Sequence, residues 1–251
     1  MESKKLFRIL SVIIALFIWQ ILSLLINSKI LIASPIMVIA RFGTIWREKL
    51  FWSSITFTLV RICIGYLCGV LIAVTLGILA ERYKYLEILL WPYMVMIKSV
   101  PVASIVVICL IWLSASNISV LVSMLIVIPI IYNNVLIGLK NRDSELEEVA
   151  CVYDVKGIEK IRTVLLPQLC PYLISACSVT AGMVWKAGVA AEVIGTPTGS
   201  IGRQLYLSKT YLDTVDMFVW TITIVIISVA FEKAFMCALK YILKKWCGTE
   251  S

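Results

Sequence analysis

A chain of 251 residues, 61% hydrophobic and only 15% charged, with a mean hydropathy of +0.99, cannot be a soluble globular domain. Its net charge of +8 fits the excess of Lys and Arg on one side of a membrane protein rather than nucleic-acid binding. The eight cysteines come with no histidine and no C-x-x-C, which excludes the usual zinc and haem patterns. Cys63, Cys68, Cys109, Cys177 and Cys237 fall in apolar runs and read as small apolar residues. Cys151, Cys170 and Cys247 fall outside the runs or at their edge.

Apolar runs of about 18 or more residues with few charges are candidate spanning helices. Six occur: Leu6–Ile26, Ile55–Ala80, an interrupted run Leu86–Leu113, Ile118–Leu139, Leu169–Val193 and Val215–Leu243. They show no period-two alternation, so a closed barrel is excluded and each must satisfy its backbone as a helix. The expected fold is all-α: a polytopic membrane protein with six transmembrane helices, in one domain over residues 1–251.

The first run follows Lys4, Lys5 and Arg8. Its length of about 20 residues exceeds the 7–15 of a signal peptide, and no small-residue cleavage site follows, so it reads as a retained helix. With six spans both termini share a side. That side carries Lys4, Lys5, Arg8, Arg82, Lys84, Lys240, Lys244, Lys245 and the charged segment Lys140–Arg162. The opposite side has fewer cations: Lys29, Arg41, Arg47, Lys49, Arg203 and Lys209. The bias predicts cytoplasmic termini, with the basic Lys29–Lys49 stretch as the exception.

After the first span, Ser34–Leu50 opens with Pro35 and carries Ile36, Ile39, Ala40 and Gly43 at helical spacing. It predicts a short interfacial helix on the external side. The second span places Gly65, Gly69, Ala73 and Gly77 four residues apart. Such a row lets another backbone approach closely, either within the chain or at a subunit interface. The third span is broken at Lys98-Ser99-Val100-Pro101, because proline removes a donor and kinks a helix. Broken helices at membrane depth are tolerated where protein or a water-filled path surrounds them.

The segment of about residues 140–166 is amphipathic. Leu146, Val149, Ala150 and Tyr153 fall at i, i+3, i+4 and i+7, one apolar stripe on a helix. Glu145, Glu147, Glu148 and Asp154 surround it, with Ser144 as the expected N-cap. Gly157 is placed to end or bend that helix, and Ile158–Leu166 returns the chain to the membrane at Pro167. Periodicity alone leaves two readings: a connector lying on the lipid surface, or a docking surface for a soluble partner.

After the fifth span, Gly195 to Gly202 is turn-rich and leads into a polar segment, Arg203–Asp213, expected outside. Arg61, Lys98, Lys186, Glu192, Glu232 and Lys233 lie within or at the edges of spans, where ionisable groups are costly and point to function. Lys98 is deep and beside the break. With Pro101, Ser104, Lys186 and Glu192 it forms the candidate translocation pathway. The alternative is that Lys98 or Lys186 pairs with Glu192 and holds helices together.

The 148–167 segment resembles the EAA motif of ABC-importer permeases of the binding-protein-dependent type. In that pattern Glu-Ala-Ala is followed by three residues, Gly, nine residues, Ile, one residue and Leu-Pro. Glu148-Val149-Ala150, Val164 and Leu166-Pro167 keep the register, whereas Asp154 stands where the motif has Gly. The segments Ile97–Ser104 and Trp185–Gly195 are similar to the nitrate/sulfonate/taurine branch of these permeases.

The resemblance implies a permease that is not itself an enzyme, working as a homodimer in a lipid bilayer, the bacterial cell membrane. Its partners would be two cytoplasmic ATP-binding subunits and an external solute-binding protein. The coupling contacts would come from Leu146, Glu147, Glu148, Val149, Ala150, Tyr153, Asp154, Gly157, Leu166 and Pro167. The solute would be small and anionic or vitamin-like. The sequence lacks G-x-x-x-x-G-K-[ST], so ATP would be used by the partner subunits and the chain would bind no cofactor. The rival readings are an ion-gradient-driven secondary transporter or channel, and a membrane scaffold with a docking loop.

Overall fold

A computed structural model describes residues 2–26, 28 and 30–247. Lys29, and the side chains of Lys4, Lys5, Arg8 and Cys247, lie outside the described residues. Every regular element among the described residues is helical: α1 (Glu2–Ile26), α2 (Pro35–Ile45), α3 (Lys49–Arg82), α4 (Lys84–Ser99), α5 (Val102–Cys109), α6 (Ile118–Lys140), α7 (Ser144–Val152), α8 (Gly157–Lys160), α9 (Leu166–Gly195), α10 (Ile201–Thr210) and α11 (Thr214–Cys247).

Four helical runs are long and apolar enough to cross a membrane: Lys49–Arg82, Ala115–Lys140, Gly157–Gly195 and Thr214–Trp246. A fifth is the pair α4 and α5, bent by 102° at the Val100-Pro101 break. The interruption expected at Lys98–Pro101 is thus a sharp reversal of direction, with Pro101 as the N-cap of α5. In α1 the described apolar helix is the shorter Ile13–Ile26.

The centre of the molecule is a stack of α3, α6 and α9. Gly65, Gly69, Ala73 and Gly77 are buried along one face of α3, and that face meets α6 of the same chain. A β-carbon at Gly65 would fall 2.8 Å from Ser123 Cβ, one at Gly69 3.0 Å from Val127 Cβ, and one at Gly77 2.7 Å from a Val135 methyl. Small residues here let two backbones pack without the hydrophobic effect, which lipid does not supply. On the other side, Gly138 and Gly188 let α6 and α9 close up against Tyr172, Leu169 and Ile62. Tyr66 reaches from α3 to α9, where its hydroxyl donates to the Cys177 carbonyl at 2.9 Å. Its ring meets the edges of Phe231 and Phe235 of α11.

The short helix α2 forms, with Ser34 as N-cap accepting from the Met37 amide at 3.3 Å. Its buried face is Val38 and Ile45, however, and Ile36 and Ile39 point outward. Lipid is as apolar as a protein core, so apolar spacing could not tell one face from the other. Arg41 of α2 is also no free cation. Its Nε donates to Asp216 Oδ1 at 2.6 Å and its Nη1 pairs with Glu48 at 2.5 Å. These bonds push its pKa above the ordinary arginine value.

Candidate functional site

The candidate residues lie mainly at the two ends of the bundle and along α9. At the first end lies α7. Asp143, rather than Ser144, is its N-cap, and its carboxylate accepts from the Glu145 amide at 2.9 Å. The aspartate wins because the chain is already helical at Ser144. The C-terminus closes through two bonds: Val155 N to Ala150 O at 2.9 Å and Asp154 N to Cys151 O at 3.1 Å. This is the Schellman arrangement, which requires a left-handed residue just past the helix. That residue is Asp154, at φ 53°. The motif position that usually carries Gly is therefore left-handed here, and aspartate is among the few other side chains that tolerate it.

Ala150 is the buried member of the α7 stripe, 4% exposed. Leu146, Val149 and Tyr153 remain exposed, and so do the neighbouring Val152 and Ile158. They form an exposed apolar group beside the exposed Glu148. Gly157 starts the next helix at φ 63°. From there the chain runs through a π-helical turn, Ile161–Leu165, into α9. The Leu166 amide bonds Ile161 O, one residue further back than in an α-helix. Pro167 explains the widening, since its ring would clash with the carbonyl four residues earlier.

Arg142, which sequence reasoning passed over, ties α7 to the bundle. Its Nη2 pairs with Glu81 at the end of α3. Its Nη1 lies 3.2 Å from Glu147 of α7, and its Nε donates to the Leu139 carbonyl at 2.6 Å. Nearby, the Asp143 amide donates to Gln168 Oε1 at 2.8 Å, and Lys140 pairs with Glu87 of α4 at 2.6 Å.

At the opposite end, Glu192 departs from its expected place. It is completely buried and cannot line an open path. Its Oε2 accepts from Thr58 Oγ1 at 2.8 Å and from the Gly202 amide at 3.3 Å. Among the described residues it forms no ion pair with Lys98 or Lys186. The Gly202 amide in the first turn of α10 and the buried Thr58 hydroxyl both bond Oε2, as helix N-termini do for anions, while Oε1 is buried without a hydrogen-bond partner among the described residues. Ser119 of α6 stands beside the same carboxylate without closing a hydrogen bond.

Lys186 lies on the other face of α9, exposed in line with Val179, Met183 and Ala190. Lys98 is exposed at the last turn of α4. It borders a cavity of about 200 Å³ that it shares with Glu87, Trp91 and Tyr132. Pro101 and Ser104 are exposed at the start of α5. Arg61 stacks on Phe57 at 3.6 Å and donates to the Ser116 carbonyl at 2.5 Å. Glu232 accepts from Ser178 of α9 at 3.3 Å. Glu192 is thus set apart from the exposed Lys98 and Lys186 by its burial.

Residues 69–246 match the model of the binding-protein-dependent transport system inner membrane component. The chain belongs to this family of membrane transport permeases. It is 26% identical over 239 residues to a putative aliphatic sulfonates transport permease protein SsuC of Bacillus subtilis, covering 94% of this chain and 85% of that protein. It is 28% identical over 166 residues to the nitrate import permease protein NrtB of Leptolyngbya laminosa, covering 65% of this permease and 58% of the relative. A second putative aliphatic sulfonates permease, from Escherichia coli, is 26% identical over 201 residues, with 78% and 75% covered.

Proposed function

We propose that this permease is the membrane-spanning subunit of an ATP-driven importer for a small anion of the sulfonate, nitrate or taurine type. It works as a homodimer, each copy a single domain with α1 as the sixth span. Its termini and α7 face the cytoplasm of a bacterial cell, and α10 faces outward. Two ATP-binding subunits receive α7 and use the ATP, and a solute-binding protein meets the α10 end. Lys98 and Lys186 are exposed cations without an acidic partner among the described residues, suited to an anion's path between two copies.

The observation that carries this reading is α7 itself. It is a short helix with Ala150 packed inward, Leu146, Val149 and Tyr153 left uncovered, and its C-terminus closed at the motif's glycine position. Co-purification tests it. The tagged permease should capture an ATP-binding subunit in one-to-one ratio, and Leu146→Glu together with Val149→Glu should abolish capture while the permease stays in the membrane. A permease that purifies alone and takes up solute on a proton or sodium gradient would establish the secondary-transporter reading instead.

A further inference from the structure

The buried Glu192 has a role that the coupling helix does not explain. It stands in the last turn of α9, fully enclosed, where α3, α9 and α10 meet. Its Oε2 accepts from Thr58 Oγ1 at 2.8 Å, and Thr58 Oγ1 in turn accepts from the Ile201 amide at 3.0 Å. The Gly202 amide completes the set at 3.3 Å. One carboxylate and one hydroxyl thus take two of the amides that the first turn of a helix leaves open. The hydroxyl both donates and accepts, using its two kinds of bonding at once.

The backbone is built for the same contact. A β-carbon on Gly202 would overlap Glu192 Cβ and would lie 2.7 Å from the Glu192 carbonyl carbon and from Val193 N. Helix α10 therefore rests closely on the last turn of α9, with Gly202 against the backbone and Cβ of Glu192. Ser200 caps α10 by accepting from the Arg203 amide at 3.0 Å, and Thr196, at φ 46°, ends α9. At 100° per residue, Lys186 and Ala190 lie about 120–160° around α9 from Glu192, and both are exposed. On α10 and just past it, Tyr206, Lys209 and Tyr211 are exposed.

We infer that Glu192 and Thr58 are positioning residues that lock α10 onto α9, so that a load on the exposed side of α10 moves the Lys186–Ala190 face of α9. The identity of the load, a docked solute-binding protein, rests on the proposed function; the lock does not.

The test uses the full chain in lipid nanodiscs, with Ala190→Cys as a reporter read by peptide mass spectrometry after reaction with a charged maleimide. Thr58→Val keeps the shape and removes the hydroxyl, and Thr58→Ser restores it. The valine variant should speed amide exchange at Ile201 and Gly202 by about tenfold or more, as loss of local protection does. It should also change the labelling rate at position 190 at least threefold, roughly, since the face moves with the lock. The serine variant should behave as wild type in both.

Faster exchange with unchanged labelling would overturn the inference, because α10 would then be loosened without moving α9. Unchanged exchange would overturn the lock itself, and a serine variant resembling valine would assign the contact to the methyl group. Should Thr58→Val fail to fold, Glu192→Gln serves as the second variant. It keeps a neutral acceptor, and the lock requires a smaller shift of the same sign in both readouts. Neither readout uses nucleotide or solute. A chain that captures no ATPase leaves these results standing, and a failed lock leaves capture intact.

Discussion

Helices α7 and α10 are nearly the same length, nine and ten residues, and each lies at one end of the bundle. Their attachments differ in kind. Helix α10 is fixed by a buried carboxylate, a buried hydroxyl and a backbone contact that only glycine allows. Helix α7 is fixed by half-exposed ion pairs through Arg142, by one amide bonded to Gln168, and by the burial of Ala150. Exposed ion pairs are worth about 0–1 kcal/mol each. Leaving a buried charged group unsatisfied costs about 1–3 kcal/mol or more. One end is thus built as part of the spans, and the other is held mainly by partly exposed contacts.

The largest break in this contrast should come from Gly202→Val. The added carbons have no room beside Glu192, so α10 must lift. Thermal unfolding in detergent should show a loss of about 3 kcal/mol or more, beyond the usual range for overpacking. A variant as stable as wild type would remove the backbone contact from the account. Gly65→Leu should follow, at about 1–3 kcal/mol, because its β-carbon would already press on Ser123 Cβ of α6. Here the readout is folded yield by fluorescence-detected gel filtration, and undiminished yield would mean that α3 and α6 do not pack as described.

Arg142→Ala sharpens the comparison at the other end. It removes the partly exposed pairs to Glu81 and Glu147 and the bond to the Leu139 carbonyl, so stability should fall only modestly, by about 1 kcal/mol. Solute-stimulated ATP hydrolysis should nevertheless fall about tenfold, equivalent to 1.4 kcal/mol of coupling, with Arg142→Lys in between. Equal losses of stability and stimulation would make Arg142 an ordinary structural residue.

The smallest effect belongs to Asp154. Its backbone is left-handed and its carboxylate pairs with the exposed Lys156, so Asp154→Gly should shift stability by no more than about 0.5 kcal/mol. Asp154→Val should cost about 1–2 kcal/mol, since a branched side chain pays for that conformation. Urea titration of the two variants, read by α7 amide exchange, distinguishes them. Identical behaviour would deny the turn its special φ.

Local chemistry was legible in the sequence where its partners lie nearby in the chain. The spacing of Leu146, Val149 and Ala150 gave the helix, and Lys98–Pro101 gave the break. The turn was less legible: Gly157 is the residue the sequence offers to end the helix, whereas the left-handed residue that closes it is Asp154. Contacts across the chain were hidden. Thr58 is 134 residues from Glu192, and Arg142 is 61 from Glu81, so nothing local announces either pair. Gly199 and Gly202 both looked like turn residues. Gly199 is one, at φ 84°, whereas Gly202 is small because α9 is too close. Glu192 was read as a path residue because a charge at membrane depth implies function. It is instead buried, with one carboxylate oxygen bonded to a hydroxyl and to an amide of a neighbouring helix.

The most direct test is amide exchange measured on the permease alone and with the ATP-binding subunit proposed to receive α7. Residues 144–155 should exchange readily in the free chain and be protected on binding. Residues 201–204 should be protected in both states. Protection of α7 in the free chain, or binding that protects some other surface and leaves α7 unchanged, would contradict this reading.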